Sequence, residues 1–192
     1  MNCTKHETCK DWQEGNLSIL NQIVLPSNNY TVIDGYFKPW IVDAVSGYYE
    51  HYPVTFSNSS KATYQEGSRF FGTIIMEHET WKVPQELNSW FNHLLRGSII
   101  NDILKDKVSQ CDRILVNGQV SGLKGVDHTD HDAPNEKTTV IYMAHGNSGS
   151  TWVGDEEIPF KEGRIVMFDS HKIHRGDAPN SGYRVSLGCV FS

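Results

Sequence analysis

Beyond Cys111 the chain is cut into short β-prone runs, and nothing else in the sequence limits its fold so strongly. The runs are Arg113–Val116, Thr138–Met143, Arg164–Phe168 and Arg184–Phe191, with Gly, Asn, Asp and Pro crowded between them. Strands this short, with turns this frequent, suit a sandwich or a barrel. Upstream the period changes. Phe37, Trp40, Ile41, Ala44, Val45, Tyr48 and Tyr49 recur near 3.6 and predict a helix. Asp34 is its expected N-cap, and Pro39 suits its first turn. A second helix is expected from Pro84, with Leu87, Trp90, Phe91, Leu94 and Leu95 on one face and Ile99–Leu104 extending it past Gly97. Residues 1–30 read as irregular around a short apolar segment, Ile19–Leu25, that ends at Pro26, and 53–69 read as loop. At 192 residues this is one domain, a helical and irregular support region (1–110) followed by a compact β core (111–192).

The balance of charge narrows the partners. Seventeen Lys and Arg against 23 Asp and Glu give −6, which disfavours a broad basic face for nucleic acid. No apolar run approaches the roughly 20 residues a membrane span needs. Cys3, Cys9, Cys111 and Cys189 are too few for a disulfide scaffold and form no CxxC zinc motif. The polar first fifteen residues lack the apolar core of a secretory signal, so the expectation is a cytoplasmic protein.

The chemistry is concentrated late in the chain. His128 and Asp130, two residues apart on extended backbone, project to the same side and can share one ion. A third ligand must come from elsewhere. His171 and His174 compete, and His174, ten residues before Arg184 and just ahead of the turn at Gly176 and Pro179, is better spaced, facing the pair across the barrel. Nitrogen and carboxylate ligands without cysteine suit iron(II), manganese or zinc. A facial set of two His and one carboxylate favours non-haem iron(II) and leaves coordination positions open. Alternation puts Arg184 and Ser186 on one strand face. A guanidinium aimed into a barrel needs an anion, its fork matches a carboxylate, and a serine adds one bond. Taken singly, each element has a plain structural reading, a solvated polar loop around His128 or a surface arginine at a strand start. Their spacing makes the joint reading specific.

HxD, a distal His and then Arg-x-Ser resemble the iron(II)/2-oxoglutarate-dependent dioxygenases, most closely the prolyl-4-hydroxylase-like branch. Asn117-Gly118-Gln119 stands where that family has a strand helping to hold the co-substrate. Thr138–Tyr142 resembles the strand after HxD, and Gly163–Ser170 the approach to the distal histidine. The similarity covers roughly 110–192. The chain departs from the family at Met143-Ala144-His145, often Tyr-Leu-Asn, and at Gly154-Asp155-Glu156-Glu157, often Gly-Gly-Glu. A family tyrosine that touches the co-substrate aligns with Met143 or, one register off, with Tyr142.

The resemblance implies an α+β, mainly β fold: a double-stranded β-helix, or jelly roll, with the N-terminal helices packed on its larger sheet. It implies a metal site of His128, Asp130 and His174, and co-substrate binding by Arg184, Ser186, Asn117 and Tyr142. Implied cofactors are Fe(II), 2-oxoglutarate and O2, with ascorbate as a candidate reductant. The implied activity is oxidative decarboxylation of 2-oxoglutarate to succinate, coupled to hydroxylation of a peptidyl proline or another protein side chain, with small molecules open as substrates. Two other classes compete: a cupin-like metal-binding jelly roll acting as an isomerase or binding module without 2-oxoglutarate, and a structural domain with incidental histidines. Tyr64, Phe70, Phe71 and Trp81 either fold over the site mouth or pack in the core.

Overall fold

A computed structural model describes residues 23–27, 29–59, 69–84, 88, 90–123 and 125–192. In chain order its elements are β1 (Ile23–Pro26), β2 (Thr31–Asp34), helix α1 (Pro39–Glu50), β3 (Thr55–Ser59), β4 (Arg69–Glu77), β5 (Thr80–Trp81) and helix α2 (Trp90–Ser98). Then come β6 (Cys111–Val120), β7 (Thr138–His145), β8 (Ser150–Val153), β9 (Glu156–Pro159), β10 (Ile165–Asp169), β11 (His174–Gly176) and β12 (Tyr183–Phe191). The molecule is mainly β. Its larger sheet runs β1-β2-β10-β7-β12-β6-β4-β3 with β5 beside β4, and a smaller one runs β11-β8-β9. Neighbours pair antiparallel throughout the described residues.

Alternation along the central strands splits the larger sheet into two faces. Val140, Tyr142 and Ala144 of β7, Val185, Leu187 and Cys189 of β12, and Ile114 and Val116 of β6 point to one side, where Ile41, Val45, Tyr49, Phe91 and Leu95 of the helices cover them. Burying each such side chain contributes roughly 1.5–3 kcal/mol. The helices thus brace one face and leave the other to the smaller sheet. A second apolar cluster, Val32, Met143, Val153, Ile158, Val166 and Phe168, closes one part of that gap. The rest stays open as a cavity.

The α1 helix forms where the apolar period put it, with Ile41, Val45 and Tyr49 buried and Pro39 in the first turn. Its N-cap is not Asp34. Lys38 holds that position in extended backbone, as the residue before a proline prefers, without a side-chain cap bond. Asp34 instead ends β2 and takes a bidentate pair from Arg164, Nε to Oδ1 and Nη2 to Oδ2, each 2.9 Å, plus Lys161 Nζ at 3.0 Å. Three charge-assisted bonds outcompete a cap.

The α2 helix continues past Gly97 as a π-helical stretch, Ile99–Leu104, as expected. Residues 85–87 and 89, with Leu87, lie outside the described ones. Trp90, expected on the buried face, is 55% exposed. More of the N-terminal part is strand than its composition suggests. Thr55–Ser59, expected as loop, is an edge strand on β4, where polar residues are tolerated because one side meets water. Ile23–Pro26, expected as irregular, adds another edge. Among the described residues no helix is long and apolar enough to cross a membrane.

Candidate metal centre and its cavity

His128 and His174 meet as direct neighbours, not across the barrel. An isolated antiparallel bridge joins them, His128 N–H donating to the His174 carbonyl at 3.0 Å and His174 N–H returning the bond at 2.9 Å. In such a doubly bonded pair the side chains stand on the same face, and the two rings lie 4.3 Å apart between centroids. The Asp130 backbone N–H donates to the Ser170 carbonyl at 2.9 Å, which turns its carboxylate toward them. Ligand atoms of His128, Asp130 and His174 all lie within 4.8 Å of one another.

The imidazole protons are fixed by the backbone. His128 Nδ1 is 2.9 Å from the Val126 carbonyl oxygen and His174 Nδ1 is 3.0 Å from that of Lys172. A carbonyl only accepts, so each Nδ1 carries a proton, and it is Nε2 that is left to offer a lone pair to a metal. Asp130 Oδ2 sits 3.5 Å from His174 Nε2. Burial pushes the His174 imidazole down in pKa, and the Asp130 charge opposes this only in part. Burial would raise the Asp130 carboxyl, but Arg113 and the two imidazoles outweigh it and hold it below the usual carboxylate range. Two imidazoles and one carboxylate, with ligand atoms converging, fit a facial iron(II) site.

These side chains open onto a cavity of about 210 Å³ that Arg184, Ser186 and Asn117 also line. Arg184 is 2% exposed. Its Nη1 donates to the carbonyls of Ser150 (2.9 Å) and Asp177 (3.0 Å), and Nη2 lies 3.3 Å from Thr151 Oγ1. Its Nε is buried with no partner among the described residues. No described carboxylate forms an ion pair with it, and burial pushes the guanidinium down to about 10. The Nη1 protons are thus used, while the edge formed by Nε–H and the second Nη2–H is left for a planar anion. Asn117, in register with Ser186, has a buried Oδ1 that is likewise without a partner. Glycines keep the space clear. A Cβ on Gly176 would lie 3.5 Å from Arg184 Nη2, and one on Gly188 3.3 Å from Asn117 Nδ2.

Tyr142 is elsewhere. It is fully buried on the helix side of β7, packed against Phe37 and Phe91 at 5.8 and 5.0 Å between ring centroids. Thr139 and Ile141 line the cavity from the same strand, and Met143 also faces inward. Strand parity therefore excludes Tyr142 from the co-substrate set. His171 is exposed, its backbone N–H bonded to Asp169, and takes no part in the cluster. Of the four aromatics, Phe70 lines the cavity, Phe71 packs on Phe56, Trp81 packs on the His93 ring, and Tyr64 lies outside the described residues.

Sequence reasoning missed Arg113, Thr139 and Thr151, all in the cavity wall, where Gln119 also lies. One signal was there to find. Arg113, at the head of one β-prone run, shares parity with Asn117 just past its end, so a charge was due on the inward face.

No protein-family model matches the chain, and no curated protein matches its sequence. Solved structures do. An oxidoreductase of the 2OG-Fe(II) oxygenase family from Burkholderia pseudomallei aligns at 12% identity and a TM-score of 0.56, covering 100% of this chain and 93% of that one. A prolyl-4-hydroxylase from Pseudomonas putida aligns at 13% and 0.58 over 85% of this chain and 92% of its own. The non-heme alpha ketoglutarate dependent carbocyclase SnoK from nogalamycin biosynthesis aligns at 12% and 0.57, over 85% and 79%. At such identities the likeness is one of fold, and the chain has the fold of the 2OG-Fe(II) oxygenases.

Proposed function

We propose that the chain is an iron(II)- and 2-oxoglutarate-dependent dioxygenase, a hydroxylase built as one domain on a double-stranded β-helix. In this reading His128, Asp130 and His174 hold the iron, and Arg184 with Ser186 and Asn117 takes the distal carboxylate of 2-oxoglutarate. One observation carries it: three converging metal-competent side chains and a buried guanidinium without a carboxylate partner among the described residues open onto the same cavity. A metal-binding jelly roll that uses no keto acid, whether isomerase or binding module, has no use for that cation. An uncompensated buried charge destabilises a fold unless a ligand answers it.

When bound, iron(II) and 2-oxoglutarate supply the oxidation, in which O2 converts the keto acid to succinate and carbon dioxide and gives one oxygen atom to the prime substrate. The protein supplies arrangement. The Val126 and Lys172 carbonyls orient both imidazoles, so no ring has to turn when the metal arrives. Arg184 fixes the acid by its open edge, and its immobile guanidinium sets where the rest of the molecule lies. Phe70, Leu115 and Ile141 in the wall keep water from the reacting end.

The prime substrate in this reading is a peptidyl proline or another protein side chain, the class suggested by the prolyl-4-hydroxylase among the neighbours. Ascorbate is the reductant to supply. Free, buried Cys111 and Cys189 suit a reducing cytoplasm.

The test is 2-oxoglutarate turnover in anaerobically reconstituted protein exposed to O2. The wild type forms succinate in an iron-dependent way even without a prime substrate, and His174→Ala does not. Equal turnover by His174→Ala would sink the ligand assignment.

A further inference from the structure

Arg113 has no role in the reading above, yet it is the second cation in the cavity wall. It reaches from β6 to the metal-side carboxylate, Nη2 donating to Asp130 Oδ1 at 2.7 Å. The other oxygen of Asp130 is managed separately. Thr139 Oγ1 is 2.9 Å from Oδ2 and 2.8 Å from Ser170 Oγ. A carboxylate oxygen only accepts, so the Thr139 proton goes to Oδ2 and Ser170 donates to Thr139. The two oxygens are therefore unequal. Oδ2 receives a neutral hydroxyl and faces His174 Nε2 at 3.5 Å, whereas Oδ1 is held by a full charge. Asp130 has little freedom to exchange them, because its backbone N–H is fixed to Ser170 and its side chain is 10% exposed.

We infer that Arg113 is a positioning residue that reserves Oδ1 of Asp130, so that Asp130 gives the metal one oxygen and a coordination position stays free for the co-substrate. This rests on the metal site proposed above. A charge-assisted bond is among the strongest a carboxylate oxygen accepts. Each oxygen keeps a second lone pair, so the bond does not block Oδ1 outright; the full charge of Arg113 draws on that oxygen and makes it a poorer ligand than Oδ2, which meets only a neutral hydroxyl. With Arg113 in place, Asp130 would hold the metal through one oxygen and leave room beside it for the co-substrate. Without it, a chelating Asp130 would take up part of that room.

The alternative is that Arg113 only neutralises a buried carboxylate. X-ray absorption and 2-oxoglutarate titration of the Ni(II)-loaded full chain, kept anaerobic, separate the two. In the wild type one Asp130 oxygen binds and 2-oxoglutarate displaces water. In Arg113→Gln the carboxylate carbon moves closer to the metal, as chelation requires, and 2-oxoglutarate affinity falls at least tenfold, while Ni(II) itself binds no more weakly. Arg113→Lys, which keeps a charged donor, restores both readouts in large part. The inference is overturned if Arg113→Gln leaves the carbon distance unchanged, whatever its 2-oxoglutarate affinity, or if folded Arg113→Gln loses Ni(II) altogether. Should Arg113→Gln fail to fold, Arg113→Met and Arg113→Lys carry the same comparison. Failure of the wild type to bind Ni(II) would instead refute the metal site itself.

Discussion

Arg184 is the residue whose burial most needs explaining. A guanidinium 2% exposed, with backbone carbonyls and a hydroxyl for company, has its donors only partly met, and in the reading proposed above its open edge takes an anion. Arg184→Lys tests the edge directly. Lysine keeps the charge but not the fork, so one charge-assisted bond is lost, about 1.5–3 kcal/mol. Isothermal titration of the Ni(II) form should then show 2-oxoglutarate binding weakened roughly 10- to 150-fold, since each 1.4 kcal/mol is a factor of ten. A change under threefold would mean that another group holds the acid. Tyr142→Phe tests the opposite claim. The Tyr142 hydroxyl is buried without a described partner, and burial pushes its pKa up. Removing an unmet hydroxyl from an apolar core is neutral or mildly stabilising, by up to about 1–3 kcal/mol. The melting temperature should hold or rise, and 2-oxoglutarate affinity should stay within twofold. A large loss of affinity would return Tyr142 to the cavity.

At the scale of elements, the site depends on how closely the β6–His128 connection lies against β11. A Cβ added to Gly125 would sit 2.2 Å from the Gly176 carbonyl oxygen, a backbone atom that cannot swing aside. Gly125→Ala must therefore lift the segment that delivers His128. The expected cost is about 1–3 kcal/mol of stability, with Ni(II) affinity lowered at least tenfold because one ligand is displaced. Thermal melts with and without Ni(II) would show a metal-induced rise in the wild type that is much reduced in the variant. An unchanged rise would mean that the connection is free to move. Legibility in the sequence follows the same logic of strands. Spacing was enough to bring His128, Asp130 and His174 together and to set Arg184 and Ser186 on the same cavity, because each lies on or beside a regular strand, where parity fixes direction. Parity could not be carried from β12 to β7, because a bulge between Val185 and Ser186 shifts their register. Nothing local in Thr138–His145 says which set faces in, so Tyr142 was assigned to the wrong face. Edge strands β1 and β3 were illegible for another reason: half-solvated polar residues look like loop until a partner strand is known.

At the scale of the molecule, one face of the larger sheet is braced by the helices and the other lines the cavity, and the N-terminal strands must be fastened to that frame. Asp34 does the fastening. From the end of β2 it binds Arg164 and Lys161, both close to the start of β10, and its side chain is 8% exposed. The Arg164 bonds lead in holding its carboxyl below the usual range, against the opposing effect of burial. The sign follows from linkage. A carboxyl whose folded pKa lies below its unfolded value, about 3.9, adds stability above that value and loses it as pH falls through the folded pKa. Asp34→Asn removes the charge but keeps the shape. At pH 7 it should cost about 1.5–3 kcal/mol, a hydrogen-bonded charge's worth, or several degrees at roughly 2–4 °C per kcal/mol for a chain of this size. As pH is lowered below about 4, the wild type loses the same contribution and the two melting curves should converge. Asp112 and Glu79, whose carboxyls are also held low by Lys137 and Arg96 against the effect of burial, weaken both proteins alike and cancel in the difference. A gap that stayed constant from pH 7 to pH 3 would show that Asp34 acts through packing and not through its charge. The N-terminal strands would then be held by their β-ladder bonds to β10 and by the apolar contacts of Val32 and Ile33.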